Sequence, residues 1–342
     1  MRLCSTSNPT AFQAGRQSPV TCQNKCLLSP SRKSCQCLAQ NRATPSTGSS
    51  APHSDVFVLD FDGVVVDSEP EITASAFEAA ALRWPELFSD SVLDMGSKRA
   101  QLREAMRMVR PVLVRGFESM VMLRMLSRDP SCPKTLAAIL NRWSEELPRA
   151  LSCWGESSDE LTQIFEAVRN DWMTNRTESW MALQVPYTGV VEALGETRSP
   201  IYIASSKAAH RVSALSSAVL GLDLPSDSPN LFASLLPPEE KKAEALGFIA
   251  QQPCCASPET RLHFVDDRLD TLLAVKQVPE LAARWNLYLA DWGYNTAEER
   301  AAAAREPGIK LLELGEFNAM LAPRARVIAE APRPAAESQS TE

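Results

Sequence analysis

The chain has 342 residues, of which 44% are hydrophobic and 23% charged, with a formal net charge of −7. This composition excludes collagen, extended coiled coil and wholesale disorder, and no run approaches the roughly 18 apolar residues of a membrane-spanning helix. The charge is uneven: residues 1–54 hold six bases and no acid, so the remainder carries 29 bases against 42 acids, a net of −13. A body that acidic excludes a general nucleic-acid binder, which needs a basic face to neutralise phosphates.

Residues 1–54 read as an address. They are rich in Ser, Thr, Gln and Cys and show no helical or strand periodicity, as in an organelle transit peptide. No apolar run is long enough for a secretory signal. Pro9, Pro19, Pro30 and Pro45 would interrupt the Arg-rich amphipathic helix of a mitochondrial presequence. The chloroplast stroma is therefore favoured over the mitochondrion. Cys4, Cys22, Cys26, Cys35 and Cys37 lie in this segment, while Cys132, Cys153, Cys254 and Cys255 follow no knuckle spacing. Reduced thiols and no zinc site are expected.

Residues 56–59 (VFVL) form a β-branched, apolar run ending in acids, which predicts a buried parallel strand. Residues 69–187 then read as almost wholly helical. Leu102, Met106, Val109 and Leu113 mark one amphipathic face, broken at Pro111. Leu136, Ile139, Leu140, Trp143 and Leu147 mark a second. Leu161, Ile164, Phe165, Val168 and Trp172 mark a third, opened by the capping-box pattern Ser157-x-x-Glu160. Arg99, Arg103, Arg107 and Arg110 recur at helical spacing and read as a solvated face. Ser68, between Asp67 and Glu69 at the hinge into this block, reads as a helix N-cap.

Strand grammar resumes at 201–204 (IYIA), followed by a helix over 208–219. A weaker strand over 231–235 precedes a helix over 239–251. A strand over 262–265 leads into a helix over 269–275, and 285–290 and 310–314 supply two more strands. This alternation predicts the α/β class, a Rossmann-like parallel sheet core with an inserted all-helical cap domain. The expected division is a transit peptide at 1–54, core at 55–68 and 188–324, cap at 69–187, and a disordered Pro-, Ala- and Ser-rich tail at 325–342. Ligands of such sheets bind at the carboxyl ends of the strands.

The sharpest motif is Asp60-Phe61-Asp62-Gly63, directly after the first strand. Two carboxylates converging at a strand end repel each other and call for a cation, and Mg²⁺ suits a hard oxygen site. Gly63 permits a sharp turn.

With VFVLDFDGVVVDSE, IYIAS, Lys241-Lys242 and FVDD in this order, the chain resembles the haloacid dehalogenase-like hydrolase superfamily over residues 55–320. RWPELF, LHFVDDRLDTL and WNLYLADWGYNT look like a plant and algal plastid group within it. The resemblance implies Asp60 as nucleophile and Asp62 as general acid/base, with Ser205 and Lys241 or Lys242 (the latter fitting slightly better) holding the phosphoryl group. It implies Mg²⁺ held by Asp60, the main-chain carbonyl of Asp62, and Asp267 or Asp266, with Asp267 favoured and Asp270 or Asp266 holding a water. Many relatives carry Thr, Gly and Ser where Val64, Asp266 and Arg268 stand. The implied activity is a Mg²⁺-dependent phosphatase of a small phosphorylated metabolite. A catalytically silent ligand- or protein-binding plastid protein and a phosphomutase are the alternatives.

A fluorescent fusion of residues 1–54 is expected to enter plastids and to be cleaved before Val56. Cytosolic fluorescence, or mature protein still beginning at Met1, would contradict the targeting assignment.

Overall fold

The structure, a computed structural model, describes residues 55–93 and 97–322. Residues 1–54, for which a transit role is expected, with their cysteines and His53, and the tail over 325–342, lie outside the described residues.

Strand β1 (Asp55–Leu59) leads into the two-residue β2 (Val66–Asp67), which pairs antiparallel with β3 (Val185–Pro186). This ribbon is where the chain leaves the core and returns. Strands β4 (Ile201–Ala204), β5 (Leu231–Phe232), β6 (Arg261–Asp266), β7 (Trp285–Ala290) and β8 (Ile309–Leu312) follow. With β1 they form a parallel six-stranded sheet in the order β5-β4-β1-β6-β7-β8. The fold class is the expected one, a Rossmann-like α/β core with an inserted helical cap. Position in the sheet explains the apolar runs: β1 has a neighbour on each side and helices on both faces, so Val56, Phe57, Val58 and Leu59 are all buried.

Between β2 and β3 lie α1 (Glu69–Arg83), α2 (Pro85–Phe88), α3 (Asp90–Leu93), α4 (Lys98–Val109), a 3₁₀ turn (Arg110–Val112), α5 (Glu118–Leu126), α6 (Pro133–Trp154), α7 (Ser158–Asn175) and α8 (Thr177–Met181). The cap has its own core, including Met106, Met120, Leu123, Ile139, Leu161 and Phe165. In the α/β core, α9 (Val190–Glu196), α10 (Ala209–Leu220), α11 (Pro238–Ile249), α12 (Leu269–Lys276), α13 (Pro279–Arg284), α14 (Ala297–Ala303) and α15 (Leu314–Leu321) cover the sheet. Helices α9, α10 and α15 pack on the face carrying Phe57 and Leu59, and α11 to α14 on the face carrying Val56 and Val58.

Several local expectations change. The strand expected over 231–235 ends at Phe232, because Ser234 turns to φ 58° and the chain folds over β4, with Leu235 N donating to Ser205 O. Ser68 occupies the N-cap position of α1, but its hydroxyl makes no cap hydrogen bond. The Glu69 N–H instead goes to Asp67 Oδ1 (3.0 Å) and the Tyr294 hydroxyl (3.0 Å). Helix α4 does end where Pro111 predicts, yet Arg110 departs from the solvated face: its guanidinium lies 3.7 Å from the centroid of the Tyr294 ring. Helix α7 opens as the pattern predicts, with Ser157 Oγ accepting Glu160 N.

An ion pair is sealed inside the cap. Arg169 donates from Nε and Nη2 to the two oxygens of Glu71 at 2.8 and 2.7 Å, and both side chains are buried. Burial opposes ionisation of Glu71, but Arg169 outweighs it and lowers the carboxyl to about 2. Removing one member leaves a buried, unpaired charge, costing about 3–5 kcal/mol, whereas apolar replacement of both is far milder. Urea unfolding should therefore show a large loss for Arg169→Met and partial recovery in the Glu71→Leu/Arg169→Met double variant. Equal losses in the two would contradict this account.

Candidate active site

The site grows from the carboxyl end of β1. Asp60 stays in register with the sheet, donating its N–H to Val265 O, and Phe61 N donates to Asp60 Oδ1 at 2.6 Å. The chain then turns tightly, with Gly63 at φ +84°. A Cβ at Gly63 would lie 2.0 Å from Asp267 Oδ2, and one at Gly293 would lie 2.3 Å from Asp267 Cβ. Glycine at both positions lets the loops after β1 and β7 close upon Asp267.

Lys242 reaches this point from α11. Its ammonium, 1% exposed with its residue, lies 2.7 Å from Asp60 Oδ2 and 2.7 Å from Asp266 Oδ2. Lys241, the alternative, is half-exposed and pairs with Glu244. Asp266 engages Lys242 with one oxygen and the Arg268 N–H with the other, at 2.9 Å. Asp267 Oδ2 accepts Tyr294 N at 2.8 Å, and Asn295 ties the Asp267 carbonyl to that of Ala290. Asp270 is exposed.

Asp60, Asp266 and Asp267 each offer an oxygen within 4.8 Å of the others. Burial raises the Asp60 carboxyl to about 6, with Lys242 opposing and Asp266 and Asp62 reinforcing the rise. Burial, Asp60 and Asp266 together raise Asp267 to about 8. Burial disfavours the Lys242 ammonium too, but Asp266 and Asp60 outweigh it and hold its pKa above the usual lysine range. One ammonium among three carboxylates leaves negative charge uncompensated, so this hard oxygen donor set fits a divalent cation such as Mg²⁺. Asp60 and Asp267 line the cavity whereas Asp266, held behind them by Lys242 and the Arg268 N–H, does not, which makes Asp60 and Asp267 the better direct ligands.

Asp62 stands apart from this triad. Lys207 Nζ lies 2.8 and 3.2 Å from its two oxygens. Burial would raise the Asp62 carboxyl, but Lys207, with help from Arg110, brings it below its ordinary value. Ser205 is buried at the end of β4, where its hydroxyl accepts Lys207 N at 3.3 Å. Its neighbours Ser206 and Lys207 line the cavity rather than Ser205 itself.

That cavity, about 340 Å³, is lined by Asp60, Asp62, Lys242 and Asp267 from the core, and by Arg110, Phe117 and Arg169 from the cap. Arg211, on α10 of the core, reaches across to Glu166 (2.5 Å) and Asn170 (2.9 Å) of α7. The cap thus covers the carboxyl ends of the strands.

Sequence reasoning missed Lys207, Tyr294 and Arg110. Lys207 had a modest signal, a base two residues beyond the strand-end serine. Tyr294 accepts the N–H groups of Ser68 (2.7 Å) and Glu69, and donates to Asp67 (2.8 Å), pinning the hinge. Nothing local in the sequence announces that.

The segments that carry the resemblance to haloacid dehalogenase-like hydrolases therefore meet around one cavity. No protein-family model matches the chain, and no curated protein matches it. Among solved structures it is similar to a candidate phosphoglycolate phosphatase from Lactobacillus delbrueckii subsp. bulgaricus, at 11% identity and TM-score 0.47, over 79% of this chain and 98% of that one. It is similar to a haloacid dehalogenase-like family hydrolase from Streptococcus pneumoniae, at 16% and 0.43, over 78% and 98%. A further similar structure is a hydrolase of that family from Deinococcus radiodurans solved with phosphate and sodium, at 18% and 0.41, over 79% and 96%. At such identities a likeness concerns the fold alone, and the chemical reading rests on the side chains above.

Asp60 and Asp267 bind protons more tightly in the folded chain than in the unfolded one. Their contribution to stability is complete below about pH 4 and is lost as pH rises through about 6 and about 8 respectively. In chelator-treated protein, Asp267→Asn should thus lose less stability than wild type between about pH 6 and about pH 9, read as urea midpoints. Identical pH profiles would contradict the assignment of Asp267 as a carboxyl held protonated by its surroundings.

Proposed function

We propose that the protein is a Mg²⁺-dependent phosphomonoester hydrolase of the plastid, acting on a small phosphorylated metabolite through an aspartyl-phosphate on Asp60. The observation that carries this reading is the Asp60 carboxylate, held 2.7 Å from the buried Lys242 ammonium and opening with Asp62 and Asp267 onto one cavity. Asp60, Asp267 and the main-chain carbonyl of Asp62 would hold Mg²⁺. When bound, the ion neutralises phosphoryl oxygens.

Asp60 attacks phosphorus, dividing one hard displacement into two easier ones. The Phe61 N–H and Lys242 fix the attacking carboxylate, and Asp266 fixes Lys242 in turn. Lys242 stabilises charge on the transferred group. Asp62, ionised beside Lys207, is suited to take a proton from the water that resolves the intermediate. Its earlier task, protonating the leaving oxygen, requires the opposite state. Lys207 provides for that exchange, because an incoming phosphoryl group competes with Asp62 for its ammonium. The acid/base role of Asp62 favours phosphoryl transfer over carbon–halogen cleavage, which has no such need. The cap excludes water and selects the leaving group.

Asp60→Asn should abolish turnover and trap no phospho-enzyme, since an amide is a poor nucleophile. Asp62→Asn should slow turnover by about 10²–10⁴-fold while still accumulating phospho-enzyme from an activated aryl phosphate. Wild-type activity in purified Asp60→Asn would refute the nucleophile. A wild type silent across a broad phosphometabolite panel would favour a ligand-binding protein.

A further inference from the structure

The cations around the cavity are not all accounted for by phosphoryl transfer. Lys242 and Lys207 pair with Asp60 and Asp62, and Arg169 and Arg211 with Glu71 and Glu166. Arg110 and Arg268 also line the cavity, yet neither makes an ion pair among the described residues. Both are partly buried, and each has a buried Nε with no hydrogen-bond partner.

The two guanidinium groups converge on one turn. Arg110 begins the 3₁₀ segment of the cap, is stacked on Tyr294, and directs Nη1 towards Leu113 O at 3.4 Å. Arg268 follows the acidic pair at the end of β6 and donates Nη1 to Pro111 O at 3.3 Å. Arg211, which also lines the cavity, is 3% exposed and paired with Glu166, and its Nε likewise has no hydrogen-bond partner. Guanidinium groups withdrawn from water without counterions are costly, and their flat donor forks match oxyanions in bidentate fashion. Arg110 and Arg268 line the same cavity as Asp60, so an anion at this turn lies a short spacer from the reacting phosphorus.

We propose that Arg110 and Arg268, backed by Arg211, form a second anion subsite, so that the substrate is a short phosphomonoester carrying another carboxylate or phosphate on its leaving group. This rests on the phosphatase reading for the fate of the substrate, but not for its binding. A cavity of about 340 Å³ suits such a molecule.

Three matched phosphates test it in the presence of Mg²⁺: 2-hydroxyethyl phosphate with a neutral end, phosphoglycolate with a carboxylate, and ethane-1,2-diol bisphosphate with a second phosphate. Wild type should favour at least one of the two compounds with a second anionic group over 2-hydroxyethyl phosphate by about 10- to 100-fold in kcat/KM, the range of charge-assisted hydrogen bonds. The preferred compound tells carboxylate from phosphate. Arg268→Gln and Arg110→Gln should each lower that preference about tenfold or more, and Arg268→Lys, which keeps the charge but not the fork, should retain only part of it, with melting temperatures confirming folded protein. Binding is read separately by calorimetry with the unreactive phosphonopropionate against propylphosphonate. Turnover of all three compounds without preference overturns the subsite while the phosphatase stands. Arginine-dependent binding of phosphonopropionate without any turnover upholds the subsite and overturns the phosphatase. Neither turnover nor selective binding overturns both.

Discussion

The Lys242 ammonium is the interaction on which the strand-end chemistry depends. It lies 2.7 Å from both Asp60 and Asp266, inside a region where burial alone would force carboxyls to keep their protons. Without that charge, three acids at the ends of β1 and β6 would be mutually intolerable. With it, negative charge remains but is limited to what a single divalent ion can balance. Other features of the site follow from this near-balance. The glycines at 63 and 293 bring Asp267 close enough to share the field, and the Tyr294 N–H steadies one of its oxygens.

A second balance operates between core and cap. Glu71 and Arg169 neutralise each other within the cap, and Arg211 crosses from the core to Glu166. The second of these pairs settles the cap over the strand ends by charge as well as by apolar packing. Tyr294 serves both regions: its main chain holds Asp267 and its hydroxyl gathers the hinge at Asp67, Ser68 and Glu69. Hinge geometry and the acidic centre are therefore mechanically adjacent, although they belong to different loops.

Much of the fold was legible because parallel strands buried on both faces leave continuous apolar runs. β4 and β7 fall where 201–204 and 285–290 predict, and the three amphipathic stripes of the cap fall on α4, α6 and α7, apart from Leu113, which lies beyond the 3₁₀ turn. Asp60, Asp62 and the acidic pair after Val265 stood out because charges ending apolar strands are conspicuous. Lys207 and Tyr294 did not, for a physical reason. Lys207 meets Asp62 across 145 residues and Tyr294 meets the Ser68 N–H across 226, and local periodicity carries no information at such range. Ser68 misled in a related way: a residue type suited to capping occupies the cap position, but a distant hydroxyl and the neighbouring Asp67 take the N–H that it would have served. The arginine stripe over 99–110 departs from a solvated face at both ends: Arg99 lies over the Phe77 ring and pairs with Asp90, and Pro111 ends α4 and turns Arg110 inward.

The interrupted path of the chain has a kinetic consequence. β1 lies at the centre of the sheet, but its neighbours β4 and β6 come only after the whole cap has been made; Asp55 at its start meets Arg261, 206 residues later. Closing loops of that length precedes any gain from pairing, which places the sheet among slow, high-contact-order assemblies. The cap is contiguous in sequence and encloses an apolar core of its own, so it can condense while β1 still waits. Its early collapse shortens the effective span between β1 and β4, and an insertion that separates the central strands in sequence thereby helps to bring them together in space.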